Sequence, residues 1–490
     1  QFSFGGQTIG PPVVTANQAS KGATAGQTVA VDSAVTVSSP DIDVTGATMT
    51  IGTGYQGSAD TLHFSTQNGI SSSYAAGVLT LTGSATPAQY QSALASVTFS
   101  STSTSTATRN ISIVVSDSSD TGNVKSNTAT TLIAVSAPIT ITAAYVAGSN
   151  WTTPSYPTSS ERFDTYLVNN GLGDAATPTV GYALRTGVSQ TTDLPWVNVD
   201  TISVTFSGAV GNIGLGSLKL VGGTGGGAVA APTATGFASD GSNTYSWTFP
   251  TALGNNKYIF AIASTGSSFG TLGSTRVTDA NGAGISGTFV TGQAFPSGNG
   301  MAGSTFDFAF SVLPADGQRQ ATVNSADTAE PKALANRQET NTGYSPYYDY
   351  YGAGLINSVA AAVAAADSNK TQSGITAPTA PAIEPVGGTG DAVDSTGLAA
   401  LALGVQESGS LPPNAAAAGI ASNGGSASPP ATATSLASTG SAPGTESESA
   451  KSSSSATATE RHGRHNFAAV DEAVSDFDPT DRWDWIGIDW

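Results

Sequence analysis

A chain of 490 residues has room for several domains, and only 10% of it is charged. Its net charge of −18 has the wrong sign for a phosphate backbone, which argues against a nucleic-acid partner. There is no cysteine, so disulfides and thiol chemistry are excluded, and no apolar run approaches the ~20 residues of a transmembrane segment. The chain begins at Gln1 rather than Met, and its Gly-rich, charge-poor composition is that of secreted bacterial β-proteins. Secretion with loss of a signal peptide, to the medium or the bacterial cell surface, is therefore the expectation.

After a short extension over residues 1–9, residues 10–137 predict an all-β domain. Alternation recurs in Val29–Val31, Val35–Val37, Leu62–Phe64, Leu79–Leu81 and Ile111–Val115, with turn residues between them, the pattern of a sandwich. One helix interrupts. Thr86-Pro-Ala-Gln89 offers an N-cap, a proline at the first helical position and a glutamine reaching back, and Tyr90, Ala93, Leu94 and Val97 share a face. Through Pro40-Asp-Ile-Asp43, Val78–Gly83, Tyr90–Leu94, Val97–Phe99 and Arg109–Asp117 this part resembles the cadherin-like repeats of bacterial surface adhesins. Such repeats often bind calcium at their ends, and the resemblance carries that role to Asp41, Asp43 and Asp117. Aspartates at strand ends also make Asx-turns, and both readings stand.

Ala137-Pro138 marks a junction, and residues 138–312 predict a second, more aromatic β domain. Ser160 is placed to cap a short helix on which Phe163, Tyr166 and Leu167 share a face, with Gly171 ending it. Strands follow at Ile202–Phe206, Leu218–Leu220, Tyr245–Phe249, Tyr258–Ile262 and Phe306–Phe310, whose strict alternation implies an antiparallel sandwich. Leu194-Pro-Trp-Val-Asn198, Phe295–Gly300 and Val312-Leu-Pro314 make the segment similar to the Ig-like domain preceding dockerins in large secreted bacterial proteins.

Residues 313–370 contain a duplicated frame: Asp, six variable residues, Val or Ile, then Asn-Ser, running from Asp316 and again from Asp349. An EF-hand type of loop needs oxygen ligands at positions 1, 3, 5, 9 and 12 and glycine at 6. The first copy offers Asp316, Gln318, Gln320, Asn324 and Asp327, with Ala321 in place of glycine. The second offers Asp349, Gly354 and Asn357, but has Tyr351, Ala353 and Ala360 at the other ligand positions. The pair resembles a degenerate type I dockerin module, which implies a cohesin-like receptor and calcium as the bound ion. Gln318 and Gln320 supply only neutral amide oxygens, so the first loop is expected to bind calcium weakly, on the order of 10⁻⁴–10⁻³ M, and the second to be silent. Apolar packing of Val323, Leu334, Ile356 and Val363, with Tyr344, Tyr347 and Tyr348, would then supply the fold.

Residues 371–460 are an Ala/Ser/Thr/Gly/Pro linker that cannot bury enough surface to offset chain entropy. Residues 461–490 regain character, with Phe467, Val470, Val474 and Phe477 at helical spacing and then Trp483, Trp485 and Trp490, suited to docking or to folding back on the body. The fold class expected is mainly β: two consecutive antiparallel β-sandwiches, a small α-helical dockerin-like pair and a disordered tail.

Catalytic constellations are scarce. The three histidines are His63, alone in a strand, and His462 and His465 in the tail, while Glu161 is the single glutamate up to Val312. No HExxH, nucleophile elbow or paired-carboxylate motif is present. Gly222–Gly227 lacks the Lys-Ser/Thr ending of a phosphate loop and reads as a hairpin tip. The expected function is a non-enzymatic structural or adhesive protein of the bacterial surface or matrix, whose partners are other surface or matrix proteins. Two alternatives remain: an accessory subunit of a polysaccharide-degrading assembly, held through the dockerin-like pair, and a fibre or layer subunit that assembles with itself.

Overall fold

The structure, a computed structural model, describes residues 2–4, 7–40, 43–119, 122–149, 151, 162–264, 267–268, 276–381 and 384–385. The chain is mainly β, with two antiparallel sandwiches in succession and few helices. Asp41, Ser160, the linker beyond 385 and the C-terminal aromatic segment 461–490 lie outside the described residues.

In the first sandwich the larger sheet runs in the order Ser20–Thr24, Ala129–Ser136, Arg109–Ser119, Val44–Ile51, Val78–Ala85, Ser71–Ala75, with Gly122–Lys125 beside Arg109–Ser119. A three-stranded sheet, Thr28–Ala30, Thr98–Ser101 and Asp60–His63, shares its core, which includes Met49, Leu62, Leu81, Phe99 and Ile113. Helix α1 (Pro87–Ala95) begins as its sequence implies. The Thr86 hydroxyl accepts from the Gln89 N–H, the Gln89 side chain accepts from the Thr86 N–H, and Tyr90, Ala93 and Leu94 are buried. Under the core lies one fully buried ion pair, with Arg109 Nε and Nη2 each 3.2 Å from the Asp60 carboxylate. The guanidinium also donates to Ser105 and Ala107 carbonyls and to Ser101 Oγ, so the charge is fully hydrogen-bonded, the condition under which a buried pair persists.

One pairing in this sheet is parallel. Strand Ser20–Thr24 runs alongside Ala129–Ser136, with Ser20 opposite Leu132 and Thr24 opposite Ser136. Ser20–Thr24, which follows the short Val13–Thr15 strand at the start of the sandwich, and Ala129–Ser136, which leaves it, therefore lie side by side and point the same way.

That ladder ends at the junction with the second sandwich. The Thr24 hydroxyl donates to Asp279, Asn281 Nδ2 donates to Thr24 Oγ1 at 3.0 Å and Ser136 Oγ at 3.1 Å, and Gln27 Nε2 donates to the Asn281 carbonyl at 3.0 Å. The Ala302 N–H donates to the Ala25 carbonyl at 2.9 Å. Gly26, at φ +90°, lets the chain pass so close that a Cβ would lie 2.7 Å from the Ala302 nitrogen. The two sandwiches are joined by a polar seam as well as by their short linker.

The second sandwich pairs a five-stranded sheet (Tyr182–Ala183, Ile141–Ala147, Thr201–Phe206, Thr244–Thr248, Gly236–Ser239) with a three-stranded one (Leu218–Gly222, Asn256–Ile262, Phe306–Val312). The inner face of the latter is aromatic: Tyr258 stacks on Phe310 and Phe260 on Phe308, with centroids 5.4 Å and 5.5 Å apart. Helix α2 (Phe163–Asn169) starts after Arg162, and its Phe163 and Leu167 are buried in the same core.

Two short helices follow, α3 (Ser325–Ala333) and α4 (Ser358–Ala366), packed on each other. Their core is continuous with that of the second sandwich, because Val323, Tyr344, Tyr350, Ile356, Ala360 and Ala364 join the cluster built on Trp151, Trp196 and Phe260. Tyr344 and Tyr347 face that sandwich, against Tyr166 and against Tyr182 and Trp196 respectively.

The ordered body also continues past residue 370, where composition alone places the start of the linker. Gln372 Nε2 reaches inward to Val312 O at 2.8 Å, Ile375 is buried, and Thr376 bridges Thr224 beside the Gly222–Gly227 turn. One buried isoleucine and one inward amide suffice to seat a segment whose average composition is that of a spacer.

Candidate functional site

The duplicated frame folds as two copies of one loop. In each, the first aspartate closes the turn by accepting backbone N–H groups. Asp316 takes Gln320 N at 3.2 Å and Ala321 N at 2.8 Å, while Asp349 takes Ala353 N at 3.1 Å and Leu355 N at 3.2 Å. Positions 4 and 6 are left-handed in both copies: Arg319 and Gly352 at φ +58° and +59°, Ala321 and Gly354 at +68° and +71°. The aliphatic residue of each frame bonds to the chain that leaves the other copy's helix. Val323 N donates to Lys370 O and Asn369 N to Val323 O, while Ile356 N donates to Arg337 O and Asn336 N to Ile356 O. Asn336 and Asn369 are themselves left-handed, at +64° and +68°. The two halves thus exchange equivalent bonds, as a pair related by an approximate two-fold axis would.

The asparagine of each frame caps a helix. Asn324 Oδ1 accepts from Ala326 N at 2.7 Å, and Asn357 Oδ1 accepts from Val359 N at 2.9 Å and Ala360 N at 3.3 Å. Asp327 completes a capping box by accepting from Asn324 N at 2.9 Å, and its other oxygen takes Gln318 N at 3.0 Å. Gln320 Nε2 donates to Gln318 Oε1 at 2.6 Å. Of the side-chain oxygens that the first loop offers at ligand positions, all but Gln320 Oε1 thus already accept an N–H, and Asp316 and Asp327 are fully buried. A calcium site gathers six to eight oxygens on one ion, and this arrangement does not fit one as it stands.

Burial raises the carboxyl pKa of the first aspartate in both loops. Burial raises the Asp316 carboxyl above 3.8, against the N–H groups of Gln320 and Ala321, and the Asp327 charge adds to the rise. Burial pushes Asp349 up to about 6, against the Tyr344 hydroxyl, which donates to it at 2.7 Å, and three backbone N–H groups. Replacing the strained alanine is a direct check on this geometry. Ala321→Gly relieves a left-handed non-glycine worth about 1–2 kcal/mol and gives back about 0.5–1 in unfolded-chain entropy, for a net gain of about 0.5–1 kcal/mol by denaturant titration. A loss of stability on that change would mean that position 6 is not left-handed.

The other candidate positions are dispersed. Asp43 is exposed and accepts from Ser84 Oγ at 3.0 Å, whereas Asp117 is buried opposite Val44 and accepts from Ser39 Oγ at 3.2 Å. Among the described residues no group of three or more His, Asp or Glu is placed to hold a metal ion, and no helix is long and apolar enough to cross a membrane. His63 is exposed at the edge of the small sheet, where its Nε2 meets Ser100 Oγ at 2.9 Å.

Arg319 and Asp193, which sequence reasoning passed over, join the Leu194–Asn198 run and Tyr347 in holding the loop–helix pair to the sandwich. Arg319 donates through Nε to the Asp193 carbonyl at 2.8 Å, and its guanidinium carbon lies 4.6 Å from the Tyr347 ring centroid. Trp196 donates to the Pro346 carbonyl at 3.0 Å, Val197 N to Tyr350 O at 2.9 Å and Asn198 Nδ2 to Tyr351 O at 2.7 Å. The Leu194–Asn198 run carried the only signal, a tryptophan beside a proline in a polar stretch.

No family model matches the chain, and no curated protein matches it. Among solved structures, the chain is similar to the C-terminal domain of the AgI/II polypeptide BspA of Streptococcus agalactiae, at 8% identity and TM-score 0.22 over 61% of this chain and 100% of that one. A structure titled BspA_C_mut gives 8% identity and TM-score 0.21 over 56% of this chain and 98% of that one. A marsupial T cell receptor gives 12% identity and TM-score 0.14 over 55% and 97%. Likenesses at these TM-scores carry no argument about function.

Proposed function

We propose that this chain is a non-enzymatic structural and adhesive module of the bacterial cell surface or extracellular matrix, built to transmit tension to other surface or matrix proteins. The observation that carries the reading is the parallel pairing of Ser20–Thr24 with Ala129–Ser136. Once the short pairing of Val13–Thr15 with Thr36–Ser38 is released, force applied to the two ends of the first sandwich pulls these neighbours in opposite directions along their length. Their hydrogen bonds are then loaded together in shear, instead of opening one at a time. The polar seam at Thr24, Ser136, Asp279 and Asn281 passes the load into the second sandwich. The buried carboxylates support the same reading, since Asp60 pairs with Arg109 and Asp32 takes the N–H groups of Asn17, Gln18 and Ala34, which is turn-building work.

Single-molecule stretching of the full chain tests it. The first sandwich should be the last and strongest unit to yield, and Ala23→Pro, which takes a donor out of the ladder, should lower its rupture force markedly. Equal rupture forces for the two proteins, or a first sandwich that yields before the second, would remove the support.

A second reading rests on the duplicated loops. The duplication is what the resemblance to a type I dockerin rests on, and with the first-loop ligand oxygens other than Gln320 Oε1 already bonded, recognition by a cohesin-like receptor would not depend on calcium. Calcium titration of the full chain should then show at most weak binding, on the order of 10⁻⁴–10⁻³ M, and no change in melting temperature. Two tight sites would overturn that account of the loops.

A further inference from the structure

The larger sheet of the first sandwich has two edges of different character. One, Ser20–Thr24, is covered at the seam, where Asn281 Nδ2 donates to Thr24 Oγ1 and a Cβ on Gly22 would meet Asn281 Oδ1 at 2.1 Å. The other, Ser71–Ala75, ends the sheet on the far side, and its strand partner is Val78–Ala85. Ser71, Ser72, Ser73 and Ala75 are exposed. Tyr74 leans inward, and its hydroxyl donates to the Asp60 carbonyl at 2.7 Å.

Register decides which backbone groups of this edge are spent. Ala75 and Val78 flank a two-residue turn, Ala76-Gly77, with φ at +48° and +83°. The pair flanking such a turn exchanges both hydrogen bonds, and bonded and non-bonded pairs then alternate along the ladder. Ser71, Ser73 and Ala75 therefore turn their N–H and C=O groups toward Thr82, Thr80 and Val78. Ser72 and Tyr74 aim theirs off the edge, where no backbone donor or acceptor among the described residues meets them.

Edges are ordinarily guarded by a charge, a proline, a bulge or a covering segment. The Ser-Ser-Ser-Tyr-Ala strand has no charge and no proline, and its register with Val78–Ala85 runs without a shift. Charge also says which partner fits. No Asp, Glu, Lys or Arg occurs from Phe64 to Thr108, a span holding this strand, its hairpin partner and α1, in a chain of net charge −18. A second copy is repelled by the molecule as a whole and meets no like charge on this strand. The strand also complements itself. An antiparallel copy centred on Ser73 sets Ser72 opposite Tyr74 and Ser71 opposite Ala75, so each large side chain meets a small one. We propose that Ser71–Ala75 is a homodimer contact, in which two chains pair antiparallel about a two-fold axis at Ser73, each Ser72 exchanges N–H···O bonds with the second copy's Tyr74, and the two sheets become one. Such a contact is isologous and closes on itself, and the opposite edge is used at the seam, so assembly stops at the dimer instead of running on into a filament. A contact of 5 residues per chain falls below the ~1,200 Å² of a standard interface, so the association is weak.

Sedimentation equilibrium of the full chain between about 10 μM and about 500 μM should show monomer and dimer exchanging with a Kd on the order of 10⁻⁴ M. Ser72→Pro removes an outward N–H and leaves the ladder to Thr80 and Thr82 intact, and Ser73→Lys sets two lysines side by side on the axis. Each should weaken the dimer at least about tenfold while keeping a cooperative melting transition. Because the chain has no cysteine, a single introduced one reports the register cleanly. Across the axis the Cα atoms of position 73 would lie ~4.5 Å apart, within the ~4.4–6.8 Å that a disulfide spans, so Ser73→Cys should form a covalent dimer on air oxidation. Ser71→Cys, which faces the second copy's Ala75 and not itself, should stay uncrosslinked under the same conditions. A chain that remains monomeric at about 500 μM, a dimer that neither Ser72→Pro nor Ser73→Lys weakens, or crosslinking as fast at position 71 as at 73 would overturn the proposal. Species that keep growing beyond the dimer would overturn it in favour of a filament.

Discussion

Truncating Trp196 to alanine is expected to cost about 3–5 kcal/mol, the range for removing a buried aromatic from a packed core. The side chain is fully buried and stands among Trp151, Phe163, Tyr182 and Tyr347, with ring centroids 5.2, 6.1, 4.9 and 6.0 Å away. Its indole N–H satisfies the Pro346 carbonyl at 3.0 Å, so the variant also leaves a buried acceptor unpaired. The cavity cannot close by local collapse, because Trp151 is pinned from the other side by its bond to Asn198 Oδ1 and by Gly352, where a Cβ would come within 2.4 Å of the indole nitrogen. Because one core runs from the second sandwich into the loop–helix pair, the loss should appear in both. Guanidinium unfolding should show a lower midpoint, and limited proteolysis should open the 344–352 loop first. Trp196→Phe should recover most of the stability, since it restores ring contacts but not the hydrogen bond. A cost below about 1 kcal/mol would mean that the helices fold independently of the sandwich.

What could be read from sequence follows from how local each signal is. The capping box at Thr86 and Gln89 and the alternation at Ile111–Val115 and Phe306–Phe310 depend on neighbours a few residues apart, and the structure has them where expected. Strand Val44–Ile51 sits between Arg109–Ser119 and Val78–Ala85, yet its Thr-Gly-Ala-Thr sequence has too little apolar contrast to declare itself. Strand Ser20–Thr24 is a strand only because Ala129–Ser136, more than a hundred residues away, supplies its partner. The Asn-Ser step of the repeated frame carries two messages, a ligand position and a helix N-cap, and the capping meaning is the one these atoms express. Asp193 shows the limit most sharply. Nothing beside it in sequence distinguishes it from the exposed Asp43, and only burial between the sandwich and the first loop changes its chemistry.

That burial predicts a protein more stable in mild acid than at neutral pH. Burial and, next, the Asp316 charge push the Asp193 carboxyl from 3.8 up to about 7, against Arg319, Lys257 and the Ala321 N–H. Between those two values the folded chain holds a proton that the unfolded chain has lost. Stability therefore falls as pH rises through the window and levels off above it. At 1.36 kcal/mol per unit the full window is worth about 4 kcal/mol, of which about 3 lies between about pH 8 and about pH 5. Asp307, raised by burial, acts in the same direction, as does Asp349 at about 6. The opposing groups act lower on the scale. Burial pushes Asp174 and Asp240 up, but the N–H groups and hydroxyls they accept from hold them below 3.8, so their contribution is lost only as pH falls beneath that value. The melting temperature should accordingly peak near about pH 4–5 and decline toward neutrality. Self-repulsion at a net charge of −18 adds a slope of the same sign, so the decisive comparison is internal. Asp193→Asn removes the titrating group while keeping its shape, and should flatten the decline by about 3 kcal/mol between about pH 5 and about pH 8. Wild type and variant with parallel pH profiles, or a melting temperature that rises toward neutral pH, would show that Asp193 is ionised and solvated in the folded protein.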